Sequence, residues 1–158
     1  MKNKIILYLG ITLVCYGCKT SVKDEMITDI NLKYSNNRTS LISLKEITKF
    51  KWDKMYFFPD WTTTETITNT IGFNYTGTDV QDDYSRMLFV YGKKVVYEED
   101  FQSFTFNNIS IDFKGVSDSL SKAKPYYLTS IKATFSIKAN RGLGSCKDCI
   151  VYTLTPIR

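Results

Sequence analysis

The chain has 158 residues, of which 43% are hydrophobic and 15% aromatic, and its formal net charge is +5. This length and composition predict one folded domain with a sizeable core, since disordered chains are poor in apolar and aromatic residues. The sequence contains no histidine. That absence excludes every Ser-His and Cys-His nucleophile pair and removes the commonest transition-metal ligand.

Residues 1–18 have the pattern of an export signal. Lys2 and Lys4 form a basic start, and Ile5 to Tyr16 is an uncharged apolar run. The run is shorter than the roughly 20 residues of a transmembrane helix, which favours a signal peptide over a retained membrane anchor. It ends at Gly17-Cys18, where it resembles a bacterial lipoprotein signal. The resemblance implies cleavage after Gly17 and acylation of Cys18, with ordinary secretion and cleavage further downstream as the alternative.

Cleavage there would leave a chain of ordinary charge. Without Lys2 and Lys4, the 21 basic residues become 19 against 16 acidic ones, a net charge of +3. This balance argues against a nucleic-acid-binding protein, which concentrates positive charge on one face. Residues 18–38 are predicted to be a lipid-anchored tether or a short helix, because Val22, Met26, Ile27 and Ile30 fit one helix face.

The four cysteines are Cys15, Cys18, Cys146 and Cys149. Two Cys-x-x-Cys pairs could suggest zinc, but the first pair lies in the predicted signal, so we expect neither a metal nor a cofactor. In an exported, oxidised chain Cys146 and Cys149 are predicted to form a disulfide. A redox-active pair and reduced thiols are the alternatives.

The stretch from Phe50 to Pro59 is the densest packing signal. A capping box, Ser43-Leu-Lys-Glu46, precedes it and predicts a short helix with Leu44 and Ile47 inward. In a strand at 50–58, alternation puts Phe50, Trp52, Tyr56 and Phe58 on one face, while Met55 and Phe57 make the other face apolar too. The pattern therefore predicts a central strand that is covered on both sides and ends at Pro59.

A second helix is predicted over about 64–71, with a threonine N-cap, a buried stripe of Ile67 and Ile71, and a stop at Gly72. The following loop carries three acids that could suggest calcium, but the EF-hand spacing is absent and a solvated loop is favoured. These acids are Asp79, Asp82 and Asp83.

Arg86 to Glu98 has the pattern of a hairpin with Gly92-Lys93 at its turn. This predicts that Val90 pairs with Val95, Phe89 with Val96, and Leu88 with Tyr97. Glu98-Glu99-Asp100 then favours a solvated strand end, with an acid/base pair as the alternative.

The last third of the chain predicts further strands. The apolar parity of Phe104 and Phe106 differs from that of Ile109, Ile111 and Phe113, which indicates a turn or bulge at Asn107-Asn108. A polar loop is expected over 115–124. Two strands follow: 126–138, with Ile131, Ala133, Phe135 and Ile137 inward, and 150–155, with Ile150, Tyr152 and Leu154 inward.

The predicted fold class is α+β. We expect a single antiparallel sheet of about five to seven strands with two or three short helices in one domain over 39–158, and a small β-barrel or sandwich as the alternative. Ser43-Leu-Lys-Glu-Ile, Phe50-x-Trp52-Asp53-Lys54-x-Tyr56-x-Phe58 and the Thr-capped helix that ends in Gly-Phe are similar to small uncharacterised bacterial lipoproteins and secreted proteins. The similarity covers roughly residues 41–97, implies fold and location, and brings no known activity.

These observations predict a non-enzymatic lipoprotein of the bacterial cell envelope that binds a protein partner. An immunity-type or inhibitor-like protein and an accessory subunit are the partner-binding classes that fit. A small-ligand binder with an apolar pocket is the alternative. An enzyme would have to use carboxylates such as Glu98, or the pair Cys146 and Cys149.

Overall fold

The computed structural model describes residues 21–35, 41–102, 109–113, 126–143 and 146–157. Within them lie helices α1 (Val22–Ser35), α2 (Leu44–Ile47) and α3 (Thr64–Ile71) and a 3-10 turn at Ser130–Lys132. The strands are β1 (Leu41–Ser43), β2 (Lys54–Phe58), β3 (Tyr84–Tyr91), β4 (Lys94–Gln102), β5 (Ile109–Phe113), β6 (Tyr126–Thr129), β7 (Thr134–Leu143) and β8 (Cys146–Pro156).

The strands form two sheets of four strands each. Sheet A has the order β1-β7-β8-β5, with β5 parallel to β8 and the other pairs antiparallel. Sheet B has the order β4-β3-β2-β6 and is antiparallel throughout. The mixture of helices and sheets is compatible with the predicted α+β class. The predicted single sheet is wrong, because the chain leaves sheet B at Thr129 and enters sheet A at Thr134.

One core joins the two sheets. The ring of Phe57 in β2 lies 5.3 Å from the ring of Phe113 in β5, and Phe113 lies 5.5 Å from Phe135 in β7. A second, smaller core lies on the opposite face of sheet B, where Tyr56 and Phe58 pack with Ile67 and other residues near α3. The prediction that β2 is central and covered on both faces is confirmed.

Helix α1 belongs to the main core. Val22, Met26 and Ile30 are buried in it and Ile27 packs against it, so the predicted helix face is confirmed. The helix alternative, not a tether, describes residues 22–35. Among the described residues, no helix has the length and apolar character needed to cross a bilayer.

The helix predictions hold with one correction. The Thr63 side chain accepts a hydrogen bond from the Thr66 N–H, and Gly72 ends α3 with a left-handed φ of 80°. Both predicted inward residues of α3 are buried. Helix α2 forms with Leu44 and Ile47 buried, but the Ser43 side chain makes no capping hydrogen bond.

The hairpin turn is confirmed, and its register is correct only beside the turn. Val90 pairs with Val95 as predicted, but Phe89 pairs with Tyr97 and Leu88 with Glu98. The register shifts between Phe89 and Val90. The shift leaves Val96 as an extra residue, a β-bulge that the alternation of apolar residues does not show.

Two further predictions fail because the strands are shorter than the pattern suggests. β2 begins only at Lys54, and Phe50 and Trp52 pack with the main core rather than on the face of Tyr56. The Trp52 ring lies 5.1 Å from the Phe89 ring. The predicted strand at 126–138 is broken by the 3-10 turn, where Ile131 is 88% exposed rather than inward.

The other inward residues of the late strands are buried or pack against the core: Ala133, Phe135, Ile137, Ile150, Tyr152 and Leu154. The same holds for Ile111 and Phe113. The predictions for Phe104, Phe106, Asn107-Asn108 and residues 115–124 lie outside the described residues.

Candidate functional site

The three consecutive acids of β4 have specific partners. Glu98 accepts a hydrogen bond of 2.7 Å from the Tyr75 hydroxyl, and Asp100 pairs with Arg86. Glu99 accepts hydrogen bonds from Ser21 Oγ at 2.5 Å and from the Tyr97 hydroxyl at 2.8 Å. Glu98 and Asp100 are exposed on an edge strand, as a solvated edge requires, but the acids do not end the strand, because β4 continues to Gln102. The sequence does not show that alternate residues of β4 hold structural elements on opposite faces of sheet B.

Arg86 is the centre of the contacts on the outer face. Its side chain is only 4% exposed, and its Nε and Nη2 donate to the two oxygens of Asp100 at 2.5 and 2.6 Å. Nη1 donates to the Tyr75 hydroxyl at 2.6 Å and to the Thr78 carbonyl at 2.5 Å. A bidentate carboxylate and two further acceptors satisfy a cation that would be costly to bury alone.

These contacts hold the segment 72–83 against sheet B. Tyr75 and Val80 of this segment are buried, and the Val80 N–H donates to the Thr62 carbonyl at 2.9 Å. Gly77 passes so close to Tyr75 that a Cβ on it would lie 2.1 Å from the Tyr75 hydroxyl oxygen. The segment is therefore a packed lid over the outer face of sheet B, and we call it the lid.

The acids of the lid bind backbone groups. Asp79 Oδ1 accepts from the Thr64 N–H at 2.6 Å, at the start of α3, and Asp82 Oδ1 accepts from the Asp83 N–H at 3.0 Å. Within the described ranges, no three His, Cys, Asp or Glu side chains come together as a metal site would require.

The electrostatics of this network favour a fixed proton arrangement. Burial raises the pKa of Tyr75 well above its ordinary value, and the hydrogen bond to Glu98 raises it further. The hydrogen bond to Asp100 raises the pKa of Arg86. Tyr75 therefore stays protonated and Arg86 charged under ordinary conditions. Because Glu98 is bound to a phenol and Asp100 to a guanidinium, this geometry supports a structural clamp better than an acid/base pair.

A groove of about 490 Å³ lies between the lid and the hairpin. This volume is within the roughly 300–1,000 Å³ of small-molecule sites. Phe73 and Val95 supply apolar surface, while Lys93, Lys94 and Glu98 supply charges of both signs. The groove could hold a small amphipathic molecule by contact and charge.

A second exposed feature is the turn after β2. Trp61 is 71% exposed and has a left-handed φ of 59°, which is unfavourable for a bulky side chain. The turn is fixed by a hydrogen bond of 2.7 Å from Thr62 Oγ1 to the Pro59 carbonyl. It is also tied to the lid through the bond from Val80 to Thr62. The chain thus presents a large aromatic side chain on a rigid turn.

The cysteines predicted as sites are described only in part. Cys18 and the Cys146 side chain lie outside the described residues, whereas Cys149 is half-buried in β8 and disulfide-bonded. The β7–β8 register goes from Arg141 opposite Ile150 to Leu143 opposite Cys146. β8 therefore bulges between the two cysteines, which shortens their separation relative to a straight strand. The pairing of Cys146 with Cys149 stays a prediction.

The sequence pattern does not single out Arg86 and Tyr75 as site residues. The available signal was an arginine directly before the apolar run Met87-Leu-Phe-Val, since an arginine in a strand of the core is rarely buried unless paired. The comparisons bring no further site, since no protein-family model, curated protein or solved structure matches the chain.

Proposed function

We propose that this protein is a non-enzymatic lipoprotein of the bacterial cell envelope, acylated on Cys18, that binds a protein partner through the turn bearing Trp61. The anchor rests on the leader pattern of residues 1–18. The folded body begins close behind it, because the Ser21 side chain accepts from the Asp24 N–H at 3.0 Å and starts α1. An acylated Cys18 would hold the body directly at a lipid surface.

The observation that carries the binding proposal is the conformation of Trp61. An exposed indole gains little from its position in the monomer, and its left-handed backbone costs of the order of 1 kcal/mol. Tryptophan is enriched among the residues that dominate protein–protein binding energy. A rigid turn also lowers the ordering cost of association. Tyr127, 58% exposed on β6, provides further aromatic surface on sheet B.

The anchor is tested by labelling cells with radioactive palmitate. We expect the wild-type chain to be labelled and Cys18→Ala to be unlabelled. Equal labelling of both chains would remove the lipoprotein from the proposal.

The partner is tested with a photo-crosslinking amino acid at position 61 of the full chain, expressed in its native envelope. We expect a covalent adduct of one defined mass from position 61 and none from position 69, which is exposed on α3. Absence of an adduct from position 61, or the same adduct from both positions, would contradict binding through this turn.

The groove favours a second candidate, a small-ligand-binding lipoprotein. Val95→Trp would fill the groove without touching the turn at 59–62. Loss of small-molecule binding in Val95→Trp, with no effect of Trp61→Ser, would favour this candidate over the protein partner.

A further inference from the structure

Asp53 braces two tips at the end of sheet B where β2 begins. Its Oδ2 accepts a hydrogen bond of 2.9 Å from the N–H of Gly92, in the β3–β4 turn. Its carbonyl accepts one of 2.9 Å from the N–H of Ser130, in the 3-10 turn. The hairpin turn and the 3-10 turn are therefore fixed side by side, on either side of the start of β2.

Each tip carries an exposed large apolar side chain. Tyr91 is 55% exposed beside the hairpin turn, and Ile131 is 88% exposed in the 3-10 turn. An isoleucine held in water at a braced tip gains no burial in the monomer. We give the name basic end to the surface that these two residues form together with five lysines: Lys51, Lys54, Lys93, Lys94 and Lys132.

Lysines surround the two tips. Lys54 lies opposite both Val90 and Thr129 in the sheet, and every lysine of the basic end is exposed: Lys51, Lys54, Lys93, Lys94 and Lys132. The nearest acids along the chain are Asp53, which is half-buried in the brace, and Glu98, which lines the groove with Lys93 and Lys94 and accepts the Tyr75 hydrogen bond. The basic end thus combines a local excess of positive charge with two apolar tips.

Side-chain contacts connect the first turn of α1 with the basic end, although Ser21 itself binds Glu99, which lies opposite Met87 and thus nearer the other end of β2. The Val22 N–H donates to the Tyr97 hydroxyl at 3.2 Å, the ring of Phe50 stacks on Tyr97 at 5.1 Å, and Lys51 follows Phe50. Two contacts therefore connect the first turn of α1 with the first lysine of the basic end.

We propose that the basic end docks on a membrane surface of anionic phospholipids, with lysines on the headgroups and Tyr91 and Ile131 inserted between them. Clustered lysines complement the negative surface potential of such a membrane, and apolar side chains at their centre add burial in the interface. The inference deepens the proposed function by naming the surface that an anchored body turns toward lipid.

The test uses the chain from residue 18 with Cys18→Ser, which is the species left by the proposed cleavage but without acyl chains. Its flotation is measured with vesicles of phosphatidylcholine alone and with vesicles that also contain phosphatidylglycerol. We expect binding to the anionic vesicles only, and loss of binding at high salt.

The variants separate the basic end from the rest of the surface. Each lysine at an anionic surface contributes about fivefold to partitioning, so Lys93→Gln with Lys94→Gln should weaken binding by about tenfold or more. Ile131→Ser should also weaken it. The matched controls remove the same charge from sheet A, with Lys138→Gln and Arg141→Gln, or another exposed apolar side chain, with Leu41→Ser. They should bind like the parent chain.

Circular dichroism of each variant checks that the fold is retained. Equal binding to neutral vesicles, no binding to anionic vesicles, or equal losses in the controls would each overturn the inference. Palmitate labelling of Cys18 does not depend on the basic end. A labelled wild-type chain whose unacylated body ignores anionic vesicles would therefore sink this inference and leave the proposed anchor standing.

Discussion

Tyr75 is held from three directions, by Arg86, by Glu98 and by the backbone at Gly77. Its hydroxyl donates to Glu98 and accepts from Arg86, so the ring cannot move without breaking a hydrogen bond on a buried cation. Gly77 has to be a glycine for this reason, since a Cβ there would also lie 2.3 Å from Tyr75 Cζ.

Gly77→Ala should lower the free energy of unfolding by about 1–3 kcal/mol, because either the lid or the Tyr75 ring has to shift. Urea denaturation followed by far-ultraviolet circular dichroism measures the loss. Thr76→Ala, an exposed neighbour, should change stability by less than about 0.5 kcal/mol.

A double-mutant cycle identifies the cause of that loss. In a Tyr75→Ala background the added methyl group has room, so Gly77→Ala should cost much less there than in the wild type. An equal cost in both backgrounds would show that the backbone conformation at Gly77, and not the contact with Tyr75, demands glycine.

At the level of elements, the sequence predicts helix ends and buried faces correctly where these depend on residues close together in the chain. The N-cap and left-handed C-cap of α3 follow from Thr63 and Gly72, and the buried face of α1 follows from residue spacing. Each depends on neighbours within a few residues. The alternating pattern of β7 predicts its buried residues for the same reason.

The predictions of strand register, sheet membership and side-chain partners fail, because these depend on how strands pair and on residues far apart in the chain. The bulge at Val96 shifts the register of the hairpin, and the crossing from β6 to β7 exposes Ile131. The pattern of apolar residues cannot show that a chain changes sheets, because both sheets require the same alternation. The partners of Glu98, Glu99 and Asp100 are likewise 14 or more residues away along the chain, apart from Tyr97.

The junction between α1 and β4 is such a long-range contact, and it should depend on pH. Burial above all, opposed by the hydrogen bond from the Val22 N–H and aided by the hydrogen bond to Glu99, raises the pKa of Tyr97 to about 12. Its ordinary value is 10.0. Below pH 10 the phenol is protonated in both the folded and the unfolded chain, so the full stabilisation is present.

Between pH 10 and pH 12 the unfolded chain loses this proton first, so the free energy of unfolding should fall as pH rises. Tyr97 can contribute at most about 1.4 kcal/mol per pH unit. Tyr97→Phe should therefore be less stable than the wild type at pH 8, by about 1 kcal/mol for the lost hydrogen bonds. The difference should shrink at alkaline pH. Urea denaturation of both chains across this range measures it, and a constant difference would contradict the shifted pKa.

At the scale of the whole molecule, sheet B has two unlike ends. The basic end lies where β2 begins, and the turn bearing Trp61 follows the other end of the strand. If the basic end docks on lipid as proposed, Trp61 would lie on the side of the body away from the bilayer, where a protein partner can reach it.

The two sheets should unfold as one cooperative unit. The main core supplies the reason, because the Phe57 ring of sheet B lies 5.3 Å from the Phe113 ring of sheet A and 5.4 Å from the Phe101 ring of its own sheet. Phe57→Leu should lower the free energy of unfolding by about 1–2 kcal/mol. The loss should appear equally in the two sheets.

Two probes distinguish one cooperative unit from two. In a Trp61→Phe background, Trp52 is the remaining tryptophan and reports on the core beside sheet B, while amide hydrogen exchange in β7 and β8 reports on sheet A. We expect both probes to show the same loss in free energy of unfolding for Phe57→Leu. Neither probe should change for Leu41→Ala, at the exposed edge of sheet A. A loss seen by Trp52 alone would mean that the two sheets unfold separately and that the contact between Phe57 and Phe113 does not couple them.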